Sequence, residues 1–361
     1  MHQLTYGDIK AATGRIAGRV RSVALSRVDP GAISTAHRDP LGGREPEPCE
    51  VWLALEFMQH TGSFKARGAQ NFLQAHRDSG TLPDAGVTIA SGGNAGLACA
   101  WAAQQQSVTA TVFLPTTAPA VKVARLRGYG ADVRMVGLEY ADALAACETF
   151  AATTGALASH AYDHPLIAAG AGTLLEEIRQ QIPGLDTVVV AVGGGGLFAG
   201  VATAAQHHGI RTVAVEPENS RALNAAIEAG RPVDVAVDSI AADSLGARRA
   251  SAMALHAAQQ GGVHSVLVTD SEIVRARQAL WDHRRVATEH GAATALAALT
   301  SPDQRLSDQH LSERDLPSRP VEPGRRYRPG SGEKVAVVLC GANTDVRTLV
   351  DHTRPDQQRS S

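Results

Sequence analysis

One lysine stands out by what flanks it. Residues 62–68 read Gly-Ser-Phe-Lys-Ala-Arg-Gly, with Lys65 between an aromatic and a small residue. In an apolar niche an ammonium loses the water that stabilises it, so the neutral amine gains weight. A neutral amine is a nucleophile and forms a Schiff base with a carbonyl. Gly62 allows a tight turn before the lysine, and Ser63 suits the cap of a following helix. A lysine near a helix start with its head in water is the plainer alternative. Two glycine-rich stretches add anion-binding chemistry. Ser91-Gly92-Gly93-Asn94-Ala95-Gly96 sits between a strand pattern and a helix pattern, where backbone N–H groups and a helix N-terminus would receive a carboxylate or a phosphate; a tight turn is the other reading. Gly193, Gly194, Gly195 and Gly196, followed by Leu197, make a stronger phosphate cradle, since a structural turn rarely needs four glycines. The same loop satisfies the dinucleotide fingerprint through Gly194, Gly196 and Ala199, with Glu216 twenty positions past Gly196 as a ribose-binding acid. Cys340, followed by Gly-Ala-Asn343, ends the last strand pattern; it is either a small buried residue or a weak, neutral partner for a ligand ring.

Elements must carry these residues to one place. Apolar β-branched runs at 51–57, 87–90, 110–114, 132–136, 187–192, 212–215, 265–268 and 335–339 read as strands. Helical patterns lie at 6–21, 94–106, 118–129 and 141–153, and from Gly172 to Gln181. Strands that are apolar throughout and alternate with helices predict open, mostly parallel sheets covered by helices: an α/β fold. Residues 29–47 read as a loop, and 301–333, polar and poor in aromatics, as a mobile insertion. The chain of 361 residues is 44% apolar and 19% charged, enough to bury a core. A net charge of −2 without a basic block argues against nucleic acid or an anionic membrane surface as partner. No apolar run spans a bilayer and no export signal opens the chain, so the expected location is the cytoplasm. The four cysteines are scattered and the histidines show no ligating spacing, so no metal is expected.

Together these segments resemble the fold-type II pyridoxal-phosphate enzymes, specifically the serine/threonine dehydratase (ammonia-lyase) group. The likeness runs over about residues 4–345 and is carried, in order, by the segments at Lys65, Ser91 to Gly96, Gly193 to Leu197 and Cys340 to Asn343, with weaker support from 114–132 and 242–246. It implies a two-domain fold of the tryptophan synthase β type, with a smaller substrate-binding domain at 48–159 inserted into a cofactor-binding domain at 1–47 and 160–361. It also implies a homodimer. Lys65 would hold pyridoxal 5′-phosphate as a Schiff base with Phe64 beside it, and residues 193–197 would bind the phosphate. Asn94 would bond the ring hydroxyl, Ser91 to Ala95 would take the carboxylate of a small amino acid, and Cys340 would face the pyridine nitrogen. The implied reaction is loss of a β-hydroxyl and ammonia from L-serine, L-threonine or a larger 3-hydroxy amino acid. β-Replacement and racemisation are the alternatives within the fold. A non-catalytic relative that keeps the fold for binding is a further alternative, and an NAD-binding oxidoreductase is the alternative from another class.

The chain departs from the group at several positions. Gly92 stands where racemases carry a second serine. Ala222 stands where an acid would complete a metal site with Glu216. Ala171 replaces the glutamine of a Gly-Gln-Gly-Thr turn; it either enlarges the pocket near the substrate's β-carbon or only packs under the turn. His290 follows Glu289 where proline is common. No C-terminal regulatory domain is expected after Asp345.

Overall fold

Thr187-Val-Val-Val-Ala is buried at every position, because each of its faces meets a different layer. The computed structural model describes residues 3–29, 48–299 and 327–350. Its strands are β1 (Leu25–Arg27), β2 (Glu50–Ala54), β3 (Val87–Ala90), β4 (Ala110–Leu114), β5 (Asp132–Met135), β6 (Leu157–Ala158), β7 (Thr187–Ala191), β8 (Arg211–Pro217), β9 (Val263–Val268) and β10 (Lys334–Val338). They form a six-stranded sheet ordered β1-β2-β10-β7-β8-β9 and a four-stranded sheet ordered β5-β4-β3-β6. Every pairing is parallel except that of the edge strand β1 with β2. Side chains alternate across a strand. Val188, Val190, Ala336 and Val338 therefore join one core layer, and Val189, Ala191, Val335 and Val337 the opposite one.

The first helices are α1 (Tyr6–Ile16), α2 (Lys65–Asp78), α3 (Asn94–Gln105), α4 (Ala120–Gly128), α5 (Tyr140–Thr154), α6 (Pro165–Gln181), α7 (Gly196–His207) and α8 (Ala222–Ala229). Helices α1, α6 and α7 cover one face of the large sheet, and Asp270–Arg284 with His290–Ala297 covers the other. In the smaller sheet Val87 and Ile89 meet α2 and α3, while Ala90 and Phe113 meet α5. Among the described residues no helix is long and apolar enough to cross a membrane.

Three expectations change. Residues 50–54 pair with β10, Leu53 opposite Val337, so this strand belongs to the larger sheet and the boundary drawn at residue 48 moves C-terminal to it. The strand stops at Ala54, and two short 3-10 turns, Glu56–Met58 and His60–Gly62, lead into α2. Residues 30–47 and 300–326 lie outside the described residues. Residues 327–333, expected within the mobile insertion, lie along the large sheet: Tyr327 bonds Thr187 and Glu333, and Glu333 bonds Arg211.

Helix α6 begins at Pro165, capped by His164 Nδ1, and runs straight through the Gly170-Ala-Gly-Thr173 segment that was expected to be a turn. A Cβ at Gly170 would come within 2.6 Å of the Arg67 carbonyl, and one at Gly172 within 2.7 Å of the Gly200 carbonyl. Each glycine costs helix stability, roughly 1 kcal/mol relative to alanine. Here they let α2 and α7 approach the α6 backbone. Ala171 is 1% exposed inside the larger core and does not line the cleft, so it enlarges no substrate pocket.

Arg67 locks α2 in place. Its side chain is fully buried, with Nε and Nη2 donating to Glu56 at 2.6 and 3.0 Å, and Nη1 and Nη2 donating to Glu177 on α6 at 2.6 and 2.9 Å. Glu177 also receives the Val23 amide at 2.8 Å. Burial pushes the Glu56 carboxyl up, and Arg67 pulls it back. Removing one partner of such a cluster strands the other charge. Arg67→Met is expected to lose about 3–5 kcal/mol, read as a lower urea midpoint; an unchanged midpoint would show that the cluster carries no stability.

Candidate active site

Lys65 is the first residue of α2, and the segment before it is zipped to the chain that leaves β10. Phe64 N–H donates to Cys340 O at 2.9 Å, Ala342 N–H donates to Gly62 O at 3.0 Å, and Ser63 bridges Gly341. The lysine and Cys340 are thereby brought side by side at the carboxyl end of β10. Lys65 Nζ donates to Ala161 O at 2.7 Å and lies 4.7 Å from the Phe64 ring centre. Burial lowers its pKa to about 8, while Cys340 and Glu289 act in the opposite direction. The N-terminal end of α2 also disfavours a cation. A larger share of the amine is thus neutral near physiological pH than for an ordinary lysine.

A cleft of ≈760 Å³ opens at the carboxyl ends of β3, β4, β7 and β10, between the two sheets. It brings together the residues expected from the resemblance to hold cofactor and substrate: Phe64, Lys65, Ser91, Gly92, Gly93, Asn94, Ala95, Gly193 to Gly196, Leu197 and Cys340. In parallel α/β folds this end of the strands is where ligands bind.

The four glycines are hemmed in on all sides. A Cβ at Gly193 would meet Leu245 Cα at 3.0 Å, one at Gly194 the Tyr162 ring at 2.4 Å, one at Gly195 the Ala254 Cβ at 2.3 Å, and one at Gly196 the Tyr162 carbonyl at 2.9 Å. Gly195 also has φ +92°, which L side chains rarely adopt. The loop feeds α7, whose first amides have no intrahelical acceptor, an arrangement that suits an anion. The second loop is built alike: Gly96 approaches Ser91 O so closely that a Cβ would stand 1.8 Å from it, and Asn94 opens α3. Asn94 Nδ2 donates to Glu289 at 2.9 and 3.2 Å, and its Oδ1 accepts from Asn343 Nδ2 at 2.6 Å. Burial pushes the Cys340 thiol far above its ordinary range, helped by Glu289, so it stays neutral.

Glu216 takes no part in the cleft. It is fully buried and accepts the Leu223 and Asn224 amides at 2.7 and 2.8 Å, which ties it to the start of α8. Burial pushes its carboxyl up to about 8 against these two donors. A carboxyl so engaged does not face a ribose, and the dinucleotide reading loses its acid. Among the described residues no group of three or more His, Cys, Asp or Glu is placed to hold a metal. His290 also misses the cleft: its Nε2 lies 3.4 Å from Arg277, and burial lowers it to about 4.

Sequence reasoning missed Tyr162, whose ring covers Gly194 and whose hydroxyl donates to Arg249 O at 3.2 Å. It also missed the Ala161 carbonyl that receives the lysine. Neither has a local signal, since both depend on where the segment between β6 and α6 crosses the cleft. Glu289 and Asn343 belong to segments singled out from sequence, but their bonds to Asn94 span 195 and 249 residues.

Two helix-covered parallel sheets, a lysine in the cleft between them and a glycine cradle after a central strand define an α/β enzyme of the kind that holds a phosphorylated carbonyl cofactor. The residues fit pyridoxal phosphate: an amine for its aldehyde, orphan amides for its phosphate and a neutral thiol for its ring. The family model "Pyridoxal-phosphate dependent enzyme" matches residues 40–315, and the chain belongs to that family. It is 32% identical to the L-threonine ammonia-lyase of Geobacter sulfurreducens over 96% of this chain and 77% of that one. It is 37% identical to human serine dehydratase-like protein, over 81% and 85% of the two chains. The solved serine racemase of Dictyostelium discoideum superposes with a TM-score of 0.76 at 26% identity, covering 95% of this chain and 99% of that one.

Only the neutral amine attacks a carbonyl. Cofactor-free protein is therefore expected to take up pyridoxal 5′-phosphate at a rate that rises with pH and levels off above about 8, followed by absorbance. A rate still climbing to the ordinary lysine range would show that burial does not tune Lys65.

Proposed function

We propose that the chain removes the β-hydroxyl and the amino group of a 3-hydroxy amino acid such as L-serine or L-threonine, giving a 2-oxo acid and ammonia. The observation that carries this reading is a buried lysine beside a buried, neutral thiol in one cleft that the glycine-rich turn at 91–95 also lines. The names of the ammonia-lyase and dehydratase relatives support it.

In this reading residues 193–197 hold the cofactor phosphate through backbone amides, Asn94 orients the ring, and Ser91 to Ala95 fix the substrate carboxylate. Bound pyridoxal phosphate supplies an electron sink for the pair released at Cα. Lys65, with its amine in the cleft, would be the base that takes the Cα proton. Cys340, kept neutral by burial, would offer the ring nitrogen no strong acid, which favours β-elimination over racemisation. Gly92 offers no side-chain acid to return a proton from the far face, which disfavours racemisation. The homodimer belongs to the same proposal on the strength of the family resemblance, and the cytoplasmic location on the sequence pattern.

The purified protein should be yellow and should release 2-oxo acid and ammonia in equal amounts from L-serine or L-threonine. Lys65→Ala should lose both turnover and the borohydride-reducible linkage. D-amino acid formed faster than oxo acid by the wild type would overturn the assignment.

Gly92→Ser probes the same point from the other side. Its Cβ would meet Leu114 Cδ2, the far end of a side chain that lines the cleft, at 2.9 Å and Lys122 Cδ at 3.9 Å. The variant is expected to raise D-enantiomer formation relative to oxo acid, measured on a chiral column; an unchanged ratio would show that position 92 does not face the substrate's Cα.

A further inference from the structure

Asn94 is held by a line of hydrogen bonds that begins outside the cleft. Arg125, exposed on α4, donates from Nη2 to Asn343 Oδ1 at 2.5 Å. Asn343 Nδ2 donates to Asn94 Oδ1 at 2.6 Å and to Thr61 O at 2.8 Å. Asn94 Nδ2 donates in turn to both oxygens of Glu289. Each link runs the same way, from a cation through two amides to a carboxylate, so each polarises the next. The orientation of both amides is fixed by this order. Turning Asn343 over would set its oxygen against the Thr61 and Asn94 oxygens and its NH2 against a guanidinium. The line also alternates between the two halves of the molecule, since Arg125 and Asn94 ride on helices of the smaller sheet while Asn343 follows β10 and Glu289 caps a helix of the larger. Glu289 has little room to move, because Gly341 is pressed so close that a Cβ there would stand 2.1 Å from Oε1. Thr61, the other acceptor, has a left-handed backbone with φ 63° four residues before Lys65.

We propose that Arg125 and Asn343 are positioning residues that lock the Asn94 amide in its cofactor-facing orientation, and that a surface arginine thereby sets how tightly the cofactor is held. The proposal rests on the reading of Asn94 as a ring-orienting residue. Lys122, on the same helix, supplies the contrast. It also crosses the cleft, to Asp243 at 2.9 Å, but its line ends there.

The test is a double-mutant cycle read in the affinity of cofactor-free protein for pyridoxal 5′-phosphate by absorbance titration, with kcat/KM on L-threonine as second readout. Arg125→Ala is expected to weaken cofactor affinity about tenfold, and Arg125→Lys, which keeps a donor, much less. Asn343→Asp keeps the arginine contact but sets an oxygen against those of Thr61 and Asn94, and should weaken affinity at least as much as Arg125→Ala. In the background of Asn94→Ala, Arg125→Ala should have almost no further effect, whereas Lys122→Ala should keep whatever effect it has alone. Full multiplication of the Arg125 and Asn94 effects, or an Arg125→Ala protein with wild-type affinity, would overturn the proposal. So would an Asn94→Ala protein that binds the cofactor as the wild type does. A wild type that binds no cofactor would instead sink the functional reading beneath it.

Discussion

The buried Arg67 cluster is the constraint on which the placement of Lys65 depends. Lys65 and Arg67 are two residues apart on one helix, about 200° around its axis. One points into the cleft and the other into the core, and the helix cannot rotate without moving both. Helix α2 has no side-chain cap at its start. What fixes its first turn is the guanidinium shared between Glu56 and Glu177, together with the backbone bonds that zip residues 62–64 to 340–342. A flexible side chain carries the amine, but a rigid frame carries the side chain.

Much of this was legible in the sequence, because the chemistry is local. Glycines before a helix, a lysine between an aromatic and an alanine, and a cysteine at the end of a valine-rich strand each announce themselves within a few residues. All of them line one cleft. What was not legible is long-range. The pairing of residues 50–54 with 334–338 is invisible to a window of any useful width, so the domain boundary fell too early. Gly170 and Gly172 look like a turn because glycine breaks helices; here they admit neighbouring backbones, and that purpose is written in α2 and α7. The inference drawn from Ala171 failed with it, since a residue inside a helix and inside the core has no pocket to shape.

The dinucleotide alternative shows how one loop serves two chemistries. A glycine turn after a strand, leading into a helix, suits any phosphate. The choice between cofactors falls to what surrounds it. Glu216 spends both oxygens on helix amides, while an amine and a thiol converge on the space in front of the loop. The specificity of a common anion cradle therefore lies in side chains contributed by other strands.

The stretch between β6 and α6 has a consequence for how this chain can drift. The partner of Lys65 there is the carbonyl of residue 161, a group every amino acid possesses, so substitutions at 161 leave the contact standing and the position is free to vary so long as the backbone keeps its path. Its neighbour is bound differently. The Tyr162 ring occupies the volume that any side chain at 194 would need, so a larger residue at 194 requires a smaller one at 162. Among relatives of this chain, position 161 should wander while 162 and 194 change together.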